Sequence, residues 1–311
     1  MSASPSSRLL VPGAGAGWRD YYELTKPRVV ALITFTAMVG MFLATPGMVP
    51  WPVLVFGSAG IAAMAGAAAA VNHVVDRRID AIMARTRRRP LPTGHLDGRQ
   101  ALAFASLLGA AGFALLLAAT NTLTAWLTFA SLLGYAVVYT MFLKRATPQN
   151  IVIGGAAGAA PPLLGWTAVT GQVDGGALLL FLIVFVWTPP HFWALAIHRR
   201  EDYARAEVPM LPVTHGVEYT RLQVLLYTVV LVLVTLLPWL TGVAGPLYLA
   251  GALGLGARFL WLAARLYLSR EDRHALPVFL YSIVYLFALF AVLMVDHYLF
   301  TILKQVQRLV I

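Results

Sequence analysis

Cysteine is absent from the 311-residue chain, which excludes a disulfide framework and Cys-ligated zinc alike. Charge is scarce too. Only 12% of the residues are Asp, Glu, Lys or Arg, about half the usual ~25% of a soluble domain. The formal charge is nevertheless +10. In a soluble protein that excess would raise the question of nucleic acid; here the bias of basic residues to one side of a membrane is sufficient cause, and no nucleic-acid partner is expected. The first seventeen residues hold a single basic residue, Arg8, and no apolar core of signal-peptide length. Residues 1–20 are therefore expected to be a disordered cytosolic tail, followed by one domain over 21–311.

Apolar residues fill the space that charge leaves. They make up 59% of the chain, in runs of about 20 that can each cross a bilayer as a helix. The pattern predicts an all-α, polytopic membrane protein. Trp18 to Arg28 reads as a short amphipathic lead-in at the headgroup layer, and the first span follows at about Val29–Thr45. Eight further spans are expected at about Pro52–Val75, Ala101–Ala119, Leu123–Leu143, Ile151–Val169, Ala177–Ile197, Leu222–Leu240, Pro246–Leu268 and Leu276–Leu299. Pro161-Pro162 is expected to break the fifth, and Pro189-Pro190 to disturb the sixth. The loops after spans two, four, six and eight, with the N-terminal tail, carry nearly all the Lys and Arg; the alternate loops carry none. That asymmetry places the N-terminus and the polar loops in the cytosol.

One stretch organises the rest: Asn72-His73-Val74-Val75-Asp76-Arg77-Arg78-Ile79-Asp80, where an apolar run meets an Arg-rich segment. If the helix runs on, Asn72, Asp76 and Asp80 share a face, rising about 6 Å at each step. Hard oxygen donors in a row suit Mg²⁺, which prefers carboxylates plus substrate phosphates. Arg77, Arg85 and Arg89 follow, and guanidinium groups match phosphate oxygens bidentately. A basic loop whose carboxylates merely pair with arginines is the simpler reading, but aligned donors at a membrane mouth favour a site. A second acidic segment, His198-Arg199-Arg200-Glu201-Asp202-Tyr203, ends span six, and Asp202 is a candidate ligand for a second metal ion. Lys144 and Arg145 end span four, as topology anchors or as diphosphate contacts. His191 follows the proline pair in span six and is either a hydrogen-bonded core residue or, as the sharper option, a haem ligand or proton shuttle.

The Asn72-xxx-Asp76-xxx-Asp80 motif, with the basic loop and the second acidic segment, resembles the intramembrane prenyltransferases of the ubiquinone-biosynthesis type. Leu24-Thr25-Lys26-Pro27-Arg28, Met83-Ala84-Arg85-Thr86, Lys144-Arg145, Gly158-Ala159-Ala160-Pro161-Pro162, and Asp202-Tyr203 through Pro209-Met210-Leu211-Pro212 extend the likeness toward the branch that farnesylates haem. The resemblance implies nine transmembrane helices around a central cavity, farnesyl diphosphate and haem B as substrates, and Mg²⁺ as the ion. It implies Asn72, Asp76 and Asp80 as the first motif, with Arg77, Arg85, Lys144 and Arg145 as basic contacts and Tyr203 beside the substrate. It further implies the cell (inner) membrane and, as a candidate partner, the next haem-modifying enzyme. One position departs from the family: His198 stands where the second motif often has its first Asp. An aromatic prenyl acceptor, a transporter and a non-catalytic haem-binding subunit are the competing functions. The transporter is disfavoured because the charges gather at helix ends and not at the midplane.

Overall fold

The computed structural model describes residues 16–310, with side chains over 16–299. Every regular element among the described residues is helical. Eight helices are long and apolar enough to cross a membrane, and a bent pair makes a ninth. The pair is α1 (Trp18–Leu24) and α2 (Pro27–Leu43), which meet at 53°. α1 begins inside the segment expected as a tail; residues 1–15 of that segment lie outside the described residues. The other spans are α3 (Val53–Val75), α6 (Gly98–Ala119), α7 (Thr122–Ala146), α8 (Asn150–Thr170), α9 (Gly175–His198), α12 (Val217–Leu240), α13 (Pro246–Ser269) and α14 (Ala275–Val310). Short helices fill the polar segments: α4 (Arg77–Ile82), α5 (Pro90–Thr93), α10 (Arg200–Arg205) and α11 (Leu211–Thr214).

Four of the spans start on a side-chain cap. Asp97 accepts the Gln100 amide at 2.7 Å while Gln100 Oε1 accepts the Asp97 amide at 3.0 Å, closing a capping box on α6. Asn121 caps α7, and Asp174 caps α9. α13 is capped from another helix: the buried Asp296 of α14 accepts the Gly245 and Tyr248 amides.

Both proline pairs lie inside unbroken helices, contrary to expectation. Pro161 removes the amide that would have bonded the Ala157 carbonyl. That carbonyl instead accepts the Ser131 hydroxyl of α7 at 3.2 Å. A neighbouring helix thus satisfies what the proline freed, and no break is required in lipid. α9 likewise stays helical through Pro189-Pro190, its residues from Val186 to His191 all buried against neighbours.

α2 and α8 cross with their backbones in contact. A Cβ on Gly40 would strike the Pro162 carbonyl, and one on Gly165 would strike the Ala37 carbonyl. Small residues at such a crossing are what let two membrane helices approach closely. The crossing fixes α8 against α2, and α7 packs against both α3 and α8 along its length.

Candidate active site

The joint between α1 and α2 opens the site. Lys26 sits there in a left-handed conformation, φ 52° and ψ 61°, directly before Pro27. A non-glycine residue in this region costs on the order of 1–3 kcal/mol, and a following proline restricts it further. The offsetting contact is on the side chain. Lys26 Nζ donates to Asn72 Oδ1 at 2.5 Å and lies 5.8 Å from the centre of the Tyr135 ring.

The first motif is held as expected, with one local difference. α3 ends at Val75, and Asp76 is the hinge from which α4 starts. The bend is small enough that the Asp76 amide still bonds the Asn72 carbonyl at 2.9 Å, and the Asp80 amide bonds the Asp76 carbonyl at 2.8 Å. All three side chains are buried, with 3%, 2% and 3% of Asn72, Asp76 and Asp80 exposed. Groups this polar persist in such a place only when paired. Asp76 Oδ2 accepts Lys144 Nζ at 2.5 Å and Asn72 Nδ2 at 2.9 Å. Asp80 Oδ2 accepts Arg89 at 2.7 Å. Thr86 donates to the Asp80 carbonyl at 3.0 Å, folding the Arg-rich loop over α4.

Asp76 Oδ1 is buried and has no hydrogen-bond partner among the described residues. An unmet buried acceptor costs about 1–3 kcal/mol, more when charged. Such an atom calls for a partner, and a bound ion would supply one here. Asp76 Oδ1 and the Asp80 oxygen not held by Arg89 are hard oxygen donors, and Asn72 Oδ1, now on Lys26, is a third; the donor chemistry fits a divalent cation of the Mg²⁺ type.

α7 brings the second wall. It widens into π-helix over Gly134–Leu143, a distortion found often at functional sites. Thr140 Oγ1 donates to the Tyr135 carbonyl five residues back at 2.7 Å and accepts Asn72 Nδ2 at 3.1 Å. Tyr135 and Tyr139 stack with ring centres 5.5 Å apart, and Lys144 ends the same helix on Asp76. Lys26, Thr140 and the two tyrosines were not picked out as site residues in the sequence. Lys26 carried a signal, since a cation directly before a proline at the membrane boundary is an unusual place for a snorkelling side chain. Thr140 in an apolar run carried almost none.

The other expected residues divide. Arg89 and Lys144 join the cluster directly. Arg77, Arg85 and Arg145 are exposed around it and carry no ion pair among the described residues. Tyr203 is buried on α10, within electrostatic reach of Arg85 and Arg199. Burial raises its phenol above the ordinary value although both arginines pull it down, so it stays a neutral O–H donor. Asp202 does not converge with Asp76 and Asp80: no three Asp, Glu or His side chains form a metal-binding group among the described residues. Arg199 lies 3.7 Å from one Asp202 oxygen and Arg205 3.1 Å from the other. Asp202 is thus paired to two exposed arginines, apart from the Asp76–Asp80 cluster.

His191 is buried and tightly held. Its ring stacks on Trp187 at 4.2 Å and on Phe279 at 4.7 Å. Nδ1 lies 2.7 Å from Ser282 Oγ, whose hydroxyl donates to the Phe279 carbonyl at 2.6 Å. Ser282 therefore accepts from His191, the proton sits on Nδ1, and Nε2 keeps its lone pair.

The UbiA prenyltransferase family matches residues 33–299. The protoheme IX farnesyltransferase of Marinobacter nauticus is 65% identical over 283 residues, 91% of this chain and 94% of its own. That of Alkalilimnicola ehrlichii is 67% identical over 287 residues, 92% and 95% of the two chains. Among solved structures, digeranylgeranylglyceryl phosphate synthase superposes with a TM-score of 0.76 at 18% identity, covering 90% of this chain and 98% of its own. A UbiA homologue from Archaeoglobus fulgidus bound to DMAPP and Mg²⁺ superposes at 0.61 with 17% identity, over 88% and 99% of the chains. The matched region runs from α2 into α14 and contains the buried Asn72–Asp76–Asp80 cluster: the chain belongs to the UbiA prenyltransferase family, as a multi-pass membrane protein.

Proposed function

We propose that this protein transfers the farnesyl group of farnesyl diphosphate to a vinyl group of haem B and releases diphosphate. The observation that carries the reading is identity of 65–67% across more than nine-tenths of both chains with protoheme IX farnesyltransferases. The buried acid–amide cluster under a ring of cations is the geometry such chemistry needs. The Arg-rich end, with the N-terminus, faces the cytosol of the cell membrane by the distribution of basic loops.

Asn72, Asp76 and Asp80 would hold Mg²⁺, which supplies positive charge to the departing diphosphate. The chain's own residues do the rest. Lys26 and Lys144 sit on Asn72 and Asp76 at the floor of the site, and Arg85 and Arg89 belong to the loop above it. Together they neutralise the oxygens onto which the allylic C–O electron pair moves. The vinyl π pair of haem then forms the new bond to the farnesyl C1. Tyr135 and Tyr139 face the same region with stacked rings. Tyr203, a neutral donor, adds a hydrogen bond without adding charge. Apolar helices on every side keep water from the allylic cation until the carbon–carbon bond has formed. Water then adds to the haem-side cation and loses a proton, giving a hydroxyethylfarnesyl side chain.

Purified protein incubated with haem B, farnesyl diphosphate and Mg²⁺ is expected to yield haem whose mass has risen by farnesyl plus hydroxyl. Haem of unchanged mass, with an aromatic acceptor prenylated in its place, overturns the acceptor assignment.

Two variants separate the substrates. Lys144→Ala is expected to raise KM for farnesyl diphosphate and lower kcat, each at least tenfold, with haem affinity little changed. Lys144 would be a topology anchor only if both constants stayed at wild-type values. His191→Ala is expected to shift the haem absorption spectrum and lower turnover while leaving farnesyl diphosphate binding intact, since Nε2 is the one ring nitrogen not engaged by Ser282. An unaltered spectrum with unaltered haem affinity would return His191 to a packing role between α9 and α14.

A further inference from the structure

We infer that the cavity at the Arg-rich end of the α9–α14 seam binds the two carboxylates of the tetrapyrrole substrate, and that the second acidic segment serves this purpose and not a second metal ion. The inference rests on the proposed haem acceptor and adds a site to it. The cavity holds about 400 Å³ and is lined by Arg199, Arg200, Arg205 and Arg273 with Glu201, Asp202 and Asp272, and by His198 and Ile197.

Its acids are largely committed to the protein. Asp202 is held by Arg199 and Arg205. Asp272 is held from behind by Arg221, a buried guanidinium whose Nε has no partner among the described residues. Arg273 pairs with Glu271 at the rim, both partly exposed, and such a pair is worth little and exchanges readily. Arg200 has no carboxylate partner among the described residues, and Glu201 has no cation of its own. The lining therefore offers an incoming anion Arg200 directly and Arg273 by exchange of its rim pair, against one acid, Glu201, without a cation of its own. Planar forked donors are the groups that take carboxylates in pairs.

The position selects the ligand. His191 and His198 are seven residues apart on α9, so they share a face and lie about 10 Å apart along the axis. Phe279 and Ser282, which hold His191, follow Arg273 by six and nine residues, Arg273 lying in the short turn of helix just before α14. The cavity is thus the polar mouth of a seam whose interior is aromatic: Trp187, His191 and Phe279. A ligand that fits both parts has a flat apolar body and charged carboxylates on one edge. Protohaem has that form, with its vinyl groups on the edge away from the carboxylates. α10 then separates the two sites. Asp202 lines the cavity, and the adjacent Tyr203 is buried between the two sites, within electrostatic reach of Arg199 on one side and Arg85 on the other. Capturing the carboxylates on one side of α10 leaves the vinyl edge on the other.

The test compares haem B with its dimethyl ester, which keeps both vinyl groups and lacks both negative charges. Wild-type protein is expected to bind haem B at least about tenfold more tightly than the ester. The exposed pair Arg200→Gln/Arg273→Gln is expected to remove that preference by weakening haem B alone, with KM for farnesyl diphosphate unchanged. The corresponding Lys pair is expected to restore part of it. Equal affinity of wild-type protein for acid and ester overturns the inference. So does a rise in KM for farnesyl diphosphate in the Gln pair, which would make the cavity a phosphate site. Turnover of haem with no ester discrimination would leave the proposed activity standing and remove this site. Ester discrimination without turnover would do the reverse.

Discussion

Asp76→Asn is expected to lower turnover by at least about a hundredfold while the protein still inserts and folds. The amide keeps the size of the carboxylate and can still accept Lys144 and Asn72 through its oxygen, so packing around the hinge is preserved. The substitution removes the negative charge and turns the unpartnered Oδ1 position into either a neutral acceptor or an N–H donor. Hard divalent cations are held by charge as much as by geometry. Losing one carboxylate from so small a donor set should cost several kcal/mol of transition-state stabilisation, and ~2.7 kcal/mol already gives a factor of a hundred. Asp80→Asn should act in the same direction, and it also frees Arg89 from its 2.7 Å contact. Measuring kcat against Mg²⁺ concentration separates the explanations: a lost ligand should raise the Mg²⁺ needed for half activity as well as depress the ceiling. Near-normal rates in both variants, with wild-type Mg²⁺ dependence, would sink the cation site.

Gly165→Ala is expected to produce the largest loss of stability of any single methyl added to the bundle. The new Cβ would meet the Ala37 carbonyl, a backbone atom that no rotamer change can move aside. α2 and α8 would have to separate, and overpacking of a core costs typically 1–3 kcal/mol; a backbone-to-backbone clash belongs at or above the top of that range. Gly40→Ala should behave alike, because its Cβ would meet the Pro162 carbonyl on the same crossing. The two should not add. Once the helices have moved apart for the first methyl, the second enters space already opened. Thermal unfolding in detergent of both single variants and the double variant tests this. Wild-type melting of Gly165→Ala, or strict additivity in the double variant, would contradict the close crossing. Activity should fall with stability, because the same crossing places α8 against α2 and, through it, α7 with Lys144 and Thr140.

The membrane spans were legible in the sequence because their cause is local. An apolar run of about 20 residues satisfies its own backbone as a helix in lipid wherever it sits, and the loops between spans announce themselves by charge. The Asn72–Asp76–Asp80 spacing was legible for the same reason, since residues four apart share a helix face whatever packs against them. Even the hinge at Asp76 keeps that register, as its two i→i−4 hydrogen bonds show.

What tertiary structure decided is everything that joins one helix to another. Lys144 lies 68 residues from Asp76, and Lys26 lies 46 from Asn72. Only the rotation of α7 and the bend before α2 bring those cations to the acids. The π-helical stretch of α7 sets that rotation, and nothing in its apolar sequence announces a wide turn. The proline pairs went the other way: local chemistry predicts a break at Pro161, and the Ser131 hydroxyl from another helix removes the need for one. Asp202 was a candidate ligand from its place in the acidic segment that ends span six, and only the tertiary structure sets Arg199 and Arg205 on its two oxygens. Periodicity and charge fix which residues face inward at each helix end. Which of them meet depends on how closely the helices approach, and at the α2–α8 crossing that distance is set by Gly40 and Gly165, where the absence of a side chain lets two backbones touch.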